Sequence, residues 1–399
     1  MVTTTGKQSG DNVSKTSKPT SSEETQASDD QAPATTPTTA NRGSGEGTND
    51  LETEKNIVWI GMDLGTSRTA IACSNGVRES LPSLVGYPKD VVSQKLLGSS
   101  ALFGDDVLKH RLSLNTYRPL ETGVIKGSNE GSGVEKSEAE SNMKAAHELV
   151  RHAIRMARAP ADDLVYCVIG APAEASITHR QAILEAAKDS IDSVMLCSEP
   201  FAVAYGMDVL SDALVIDIGA GTTDLCRMHG TMPEAEDQVT LDHAGDKIDQ
   251  VLCDLIKKNH PEVQFSLQMA ITAKERFATV SDATEPVIVT WPVNGKPTDI
   301  DITPEMKQAC HSIVPKIVEA LGQLVASFDP EFQEVLRNNV LLGGGGSQIR
   351  GLDKAISAYM EEHLGGGHVT QVKEPVYAGC NGALKIAKDM PPNFWEQLS

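Results

Sequence analysis

One phrase occurs twice in this chain, and it restricts the fold more than any other feature of the sequence. "GMDLGTSRTA" runs from Gly61 to Ala70, and "VIDIGAGTTD" from Val215 to Asp224. Each leads from an apolar stretch into Asp-(Leu/Ile)-Gly and then into small and hydroxyl-bearing residues. A buried strand delivers an aspartate, and the glycine after it (Gly65; Gly219, then Gly221) lets the backbone turn and approach a ligand closely. The amides that follow can point inward as anion donors, and the hydroxyls of Thr66, Ser67, Thr222 and Thr223 add to them. One such loop grips phosphates from one side. A single copy is a common tight turn. Two copies at strand ends, in the order expected of a duplicated nucleotide fold, predict a clamp on a polyphosphate. The competing grip, a GxxxxGK(S/T) loop, does not occur.

Asp63 and Asp217 would face these anions, which makes physical sense only with a cation between. Mg²⁺ keeps several waters and is commonly held by one or two carboxylates plus phosphates. The two aspartates therefore predict a magnesium site, direct or through water, with Asp224 a lesser candidate for the same region.

The surrounding pattern alternates strands and helices. "NIVWIGMDLG", "LVYCVIGAP", "SVMLCSEP" and "ALVIDIGAG" read as buried strands, and "AEASITHRQAILEAAKDSI" as a helix between two of them. The longest helix candidate opens at Thr303-Pro304 and carries Met306, Cys310, Ile313, Val314, Ile317, Leu321, Leu324 and Val325 at spacings of three and four. That stripe is packing, with a kink expected at Pro315. Such alternation implies an α/β fold with a largely parallel sheet, whose ligands sit beyond the carboxyl ends of the strands. Both copies of the phrase occupy that position.

Composition bounds the rest. Eighteen of the first fifty residues are Ser or Thr, and none is Leu, Ile, Phe, Trp or Tyr. Such a segment buries too little apolar surface to offset its ordering entropy, so residues 1–55 are expected to be disordered, with neither a signal-peptide core nor an amphipathic anchor. A net charge of −20 argues against direct nucleic-acid binding, which needs clustered Lys and Arg, and no basic run suggests a local patch. No apolar run is long enough to span a membrane, so membrane insertion is not expected. Seven scattered cysteines without CxxC spacing fit reduced thiols of a cytoplasmic protein.

A third element completes the set. "NVLLGGGGSQIRGL", Asn339 to Leu352, reads as a strand entering a polyglycine turn before a helix, with Gly344, Gly345 and Gly346 free to lie against an adenine or ribose. In this order, the three elements resemble the two phosphate loops and the adenosine motif of the actin/heat-shock-chaperone/sugar-kinase ATPase superfamily. The resemblance implies two duplicated domains of mixed sheets flanked by helices, with ATP or ADP and Mg²⁺ in the cleft between them. Its expected boundaries are 56–214, with a C-terminal return at 372–399, and 215–371.

Within that superfamily the chain is similar to the bacterial actins that organise magnetosome chains. The stretches that carry this are "SLVGYPKDVVSQKLLG" at 83–98, "YRPLETGVI" at 117–125, "SEPFAVAYG" at 198–206, "EDQVTLDHAGDKID" at 236–249 and "MPPNFWEQL" at 390–398. By that resemblance Glu199 positions or activates the attacking water, with Asp217 beside it in catalysis. Gly245 and Asp246 match a nucleotide-contacting turn, and Lys274 an adenosine-side lysine. The implied activity is ATP hydrolysis coupled to filament dynamics. The implied partners are further copies of the chain and magnetosome-associated adaptor proteins, with the cytoplasmic cytoskeleton as location. The competing readings are a bacterial actin of cell shape or segregation, a soluble ATPase or kinase of the same fold, and a chaperone-type ATPase. The last would need a substrate-binding domain, for which little chain follows the polyglycine turn.

Overall fold

The repeated phrase folds as a β-hairpin in both places, each at the centre of a five-stranded sheet. The structure, a computed structural model, describes residues 56–128, 135–282 and 285–396. The expected disorder over 1–55 lies outside the described residues, which all fall in the single compact unit spanning 54–399.

In the first sheet β1 (Ile57–Leu64) turns back antiparallel into β2 (Arg68–Cys73) and then β3 (Arg78–Pro82). On the other side of β1, β4 (Leu164–Ala171) and β5 (Ser193–Ser198) add in parallel, giving the order β5-β4-β1-β2-β3. The second sheet repeats this plan. β6 (Ala213–Ile218) turns into β7 (Thr223–Met228) and β8 (Gln238–Leu241), while β9 (Val340–Gly343) and β10 (Val369–Gln371) add in parallel, in the order β8-β7-β6-β9-β10. The register repeats too: Asp63 lies opposite Gly170 and Asp217 opposite Gly343 on the parallel neighbour. Each sheet is thus half parallel and half antiparallel. The alternation of strands and helices had implied largely parallel pairing; it misses the hairpins because turns of three and four residues leave no room for a helix.

Helices close both faces. α1 (Lys136–Met156) and α2 (Ile177–Ala187) pack on one face of the first sheet. α3 (Glu199–Gly206) follows β5 directly. α4 (Gly245–Asn259), α5 (Leu267–Phe277), α6 (Thr303–His311), α7 (Val314–Ala326) and α8 (Leu352–Leu364) form a core with the second sheet. α9 (Pro375–Asp389) then returns beside α3, and this pair lies between the two sheets, burying Val168 of one and Val215 and Leu341 of the other.

Side-chain alternation along the strands places the aspartates. Ile60, Met62 and Leu64 face α1 and α2, so Trp59, Gly61 and Asp63 face the central helices. Leu214, Ile216 and Ile218 likewise enter the second core, leaving Ala213, Val215 and Asp217 on the face toward α3 and α9. Both aspartates therefore lie on inner faces, one residue before the ends of their strands.

Two helix expectations are corrected. The stripe from Thr303 to Val325 is two helices, not one kinked helix: α6 stops at His311 and Pro315 stands in the first turn of α7. Pro315 lacks an amide proton and its ring would clash with the carbonyl four residues back, at His311. The longest helix among the described residues is instead the 21-residue α1. Near the C-terminus, Trp395 is fully buried and stacks on Tyr166 at 5.2 Å, with Trp59 5.6 Å away. Among the described residues no helix is long and apolar enough to cross a membrane.

Candidate functional site

The two hairpin tips meet. A Cβ on Gly221 would lie 2.6 Å from Thr66 Oγ1 and 2.8 Å from the backbone of Thr122, so only glycine allows this approach. Gly65 is required for a different reason: a Cβ there would come within 2.8 Å of the Arg68 carbonyl as the first tip closes. The Ser83 hydroxyl donates to the Gly65 carbonyl at 2.7 Å, and the Ser83 amide donates to the Ser67 carbonyl at 2.8 Å. Thr66 Oγ1 accepts from the Gly123 amide at 2.8 Å. That contact occupies a lone pair and leaves the hydroxyl proton for a ligand.

The second tip is tied to α4. Gly219 donates to the Thr222 carbonyl at 2.9 Å, while the amides of Gly245 and Asp246 donate to the carbonyls of Gly219 and Ala220 at 3.1 and 2.7 Å. Thr222 is buried in this tip. Thr223, also buried, donates its hydroxyl to the His243 carbonyl at 2.7 Å, so it shapes the loop instead of offering a proton. Lys274, expected on the adenosine side, donates to the Gly245 carbonyl at 2.9 Å and pairs with Asp249 at 2.7 Å. It holds the start of α4 in place.

The polyglycine turn packs against the same strand end. A Cβ on Gly344, which has φ +74°, would overlap Asp217 Oδ1, and one on Gly346 would overlap the Ile218 side chain. Gly345 alone faces open space and opens a short 3-10 turn, Gly345–Gln348, before α8. The structure thus brings all three sequence elements to one place.

Four carboxylates gather there, three of them seated on glycines. Asp63 lies against Gly379 of α9, Glu199 against Gly170 of β4, and Asp217 against Gly344. Burial pushes Asp63 up to about 6. Burial, and then the charges of Asp63, Asp224 and Asp217, hold Glu199 well above the usual carboxylate range. Asp217 is raised by burial and by Asp63 and Asp224. Burial also raises Asp224, although its Oδ1 accepts from the Ala173 amide at 2.9 Å and from the Thr240 hydroxyl. Like charges so confined resist ionising together.

This donor set fits a hard divalent cation, which favours carboxylate oxygens and would relieve the repulsion. Among the described residues no three or more His, Cys, Asp or Glu side chains form a metal cage by themselves. A cation at Asp63 and Asp217 would complete its shell with phosphate oxygens and water.

The segment from Arg118 to Gly123, which carries part of the family resemblance but was given no site role from the sequence, lies across both tips. Arg118 Nε donates to the Thr66 carbonyl at 3.0 Å, and its terminal nitrogen pairs with Asp246 at 2.9 Å. "YRPLETG" contained the signal, a basic residue before proline and a Thr-Gly pair. Both Thr122 and Gly123 adopt positive φ, 47° and 71°.

Comparison with known proteins agrees with this architecture. The family described as MreB/Mbl protein matches residues 58–392. The actin-like protein MamK of Paramagnetospirillum magneticum (strain ATCC 700264 / AMB-1) is 40% identical over 347 residues, covering 86% of this chain and 96% of that protein. A MamK double helical filament structure aligns with a TM-score of 0.79 at 38% identity, over 84% of this chain and all of the other. A non-polymerising MamK mutant bound to AMPPNP aligns with a TM-score of 0.63, also at 38% identity and with the same coverage.

Proposed function

The chain belongs to the MreB/Mbl family of actin-like proteins, and on that premise we propose that it is an ATP-hydrolysing actin whose filaments organise and position magnetosome chains in the cytoplasm. The observation that carries this reading is the contact of the two hairpin tips at Gly221 and Thr66, with Asp63, Glu199, Asp217 and Asp224 gathered behind them. The solved MamK relatives, one in a filament and one bound to AMPPNP, support it.

On this reading Thr66, Ser67 and Thr222, with the amides around Gly65, Gly219 and Gly221, hold the phosphates of ATP or ADP. Gly344–Gly346 lie beside the adenosine, with Gly345 the open contact. Gly245 and Asp246 line the sugar side at the start of α4, which Lys274 holds in position. Asp63 and Asp217 would hold Mg²⁺, which when bound offsets phosphate charge. Glu199, at the junction of β5 and α3, orients the attacking water in line with the terminal phosphate. A carboxylate with a raised pKa is the better proton acceptor for that task. Further copies of the chain are the first partners, and adaptor proteins join the filament to magnetosomes.

The test is sedimentation and electron microscopy with Mg-ATP, with ADP and without nucleotide, alongside phosphate release. Filaments that form with ATP and disassemble as phosphate appears are expected. Phosphate release without polymer under every condition would move the protein to the soluble ATPases or kinases of this fold.

A further inference from the structure

The two halves of the molecule are covalently joined beyond Ser198, yet their hairpin tips are also pinned to each other by one side chain. We propose that Arg118 is a positioning residue, a latch that fixes the first phosphate loop against α4 and so sets the spacing of the clamp. The proposal rests on the nucleotide-site reading above.

Arg118 leaves the first half in the residues between β3 and β4, and Pro119 behind it is buried. Its Nε holds the carbonyl of Thr66, the residue at the first tip, at 3.0 Å. Its terminal nitrogen holds Asp246 at 2.9 Å. Asp246 is in turn bonded through its own amide to Ala220 of the second tip, at 2.7 Å. A single guanidinium therefore connects tip to tip through two short links. The segment it belongs to adds a second contact on the same residue, since the Gly123 amide donates to Thr66 Oγ1.

Both partners of the Arg118–Asp246 pair are about a third exposed, at 32% and 40% of their side chains. An ion pair this wet adds little to global stability. Its effect falls on geometry, because a planar guanidinium fork fixes two acceptors at once where a lysine ammonium is a single point charge. The latch also explains why Asp246 stands at the start of α4: a carboxylate there faces the helix N-terminus favourably and is preset for the arginine.

Two measurements on the full-length chain test it. The first is hydrogen exchange on nucleotide-free protein, comparing Arg118→Ala and Arg118→Lys with the parent. Faster exchange is expected in the segments around Gly123 and around Gly245 and Asp246, with Arg118→Lys, the variant that keeps the charge and fold, giving an intermediate effect. Unchanged exchange around Gly245 and Asp246 would overturn the latch, whatever the nucleotide data show. The second is dissociation of a fluorescent Mg-ATP analogue. Arg118→Ala and Asp246→Ala should each speed release roughly tenfold, and the double variant should be no faster than either alone. Independent, multiplying effects, or full rescue by lysine, would overturn it. A parent chain that binds no analogue would instead sink the nucleotide-site reading, and the exchange result would still decide the latch.

Discussion

Asp63 is where the chemistry of the site becomes a stability statement. Its carboxyl titrates near 6 in the folded chain against 3.8 for an ordinary aspartate. Between about pH 4 and pH 6 the folded state therefore holds a proton that the unfolded state has released, so stability falls as pH rises through that window. The loss is on the order of 3 kcal/mol by pH 7. Urea midpoints of magnesium- and nucleotide-free protein should be lower at pH 7 than at pH 5, and Asp63→Asn should reduce the difference, with Glu199 and Asp217 supplying the remainder, while weakening Mg-ATP binding. A parent equally stable at both pH values would refute the strained carboxylate cluster. Glu199→Ala should keep nucleotide binding and assembly but slow phosphate release roughly 100-fold; normal release would remove Glu199 from catalysis. Asp63, Gly65, Asp217, Gly219 and Gly221 could be read directly because the repeated phrase is local. Lys274–Asp249 and Arg118–Asp246 could not, since partners 25 and 128 residues apart leave no periodic trace. Glu199 came only through resemblance, as a single Glu-Pro step carries no pattern of its own.

At the scale of elements, glycine decides how closely the central helices pack. A Cβ on Gly382 of α9 would overlap the Ala202 carbonyl of α3, and one on Gly61 of β1 would overlap the Cys380 carbonyl of α9. The helix carrying Glu199 is thus set against its neighbour backbone to backbone. Gly382→Ala should destabilise the fold by about 3 kcal/mol, at the upper end of ordinary overpacking, and displace α3 enough to slow phosphate release. A variant with the parent's urea midpoint and parental release rate would show that α3 has room to move. The strands β1, β4, β5, β6 and β9 were legible from their unbroken apolar runs, because buried parallel strands carry little else, while the antiparallel partners β2, β3, β7 and β8 were not. The break before α7 was hidden by a stripe that continues in phase from Cys310 to Ile317 on both sides of it. α1 was not read from the sequence, although Ala145, Ala146, Leu149, Val150 and Ala153 recur at helical spacing along its buried face.

At the scale of the whole molecule, the duplicated plan explains why the site needs both halves. Each sheet supplies one aspartate and one tip, and the proposed phosphate clamp needs both. Mg-ATP should therefore stabilise both halves together, raising one cooperative melting transition instead of splitting it; two separated transitions with nucleotide would argue that the halves bind independently. Removing residues 1–53 should leave phosphate release and assembly unchanged, because the compact unit begins at Glu54. Loss of folding on that deletion would overturn the division. The aromatic contact between Trp59 and Trp395 carries a practical consequence. It brings the two ends of the described chain to one patch of the first half. In a chain trimmed to residues 56–396, a fluorescent protein or affinity tag fused at either end would start from the same place on every subunit, so swapping ends would not relieve a steric clash in a polymer. An internal insertion in the second half, such as at the Asn294-Gly295 turn between Val293 and Lys296, is the placement that differs.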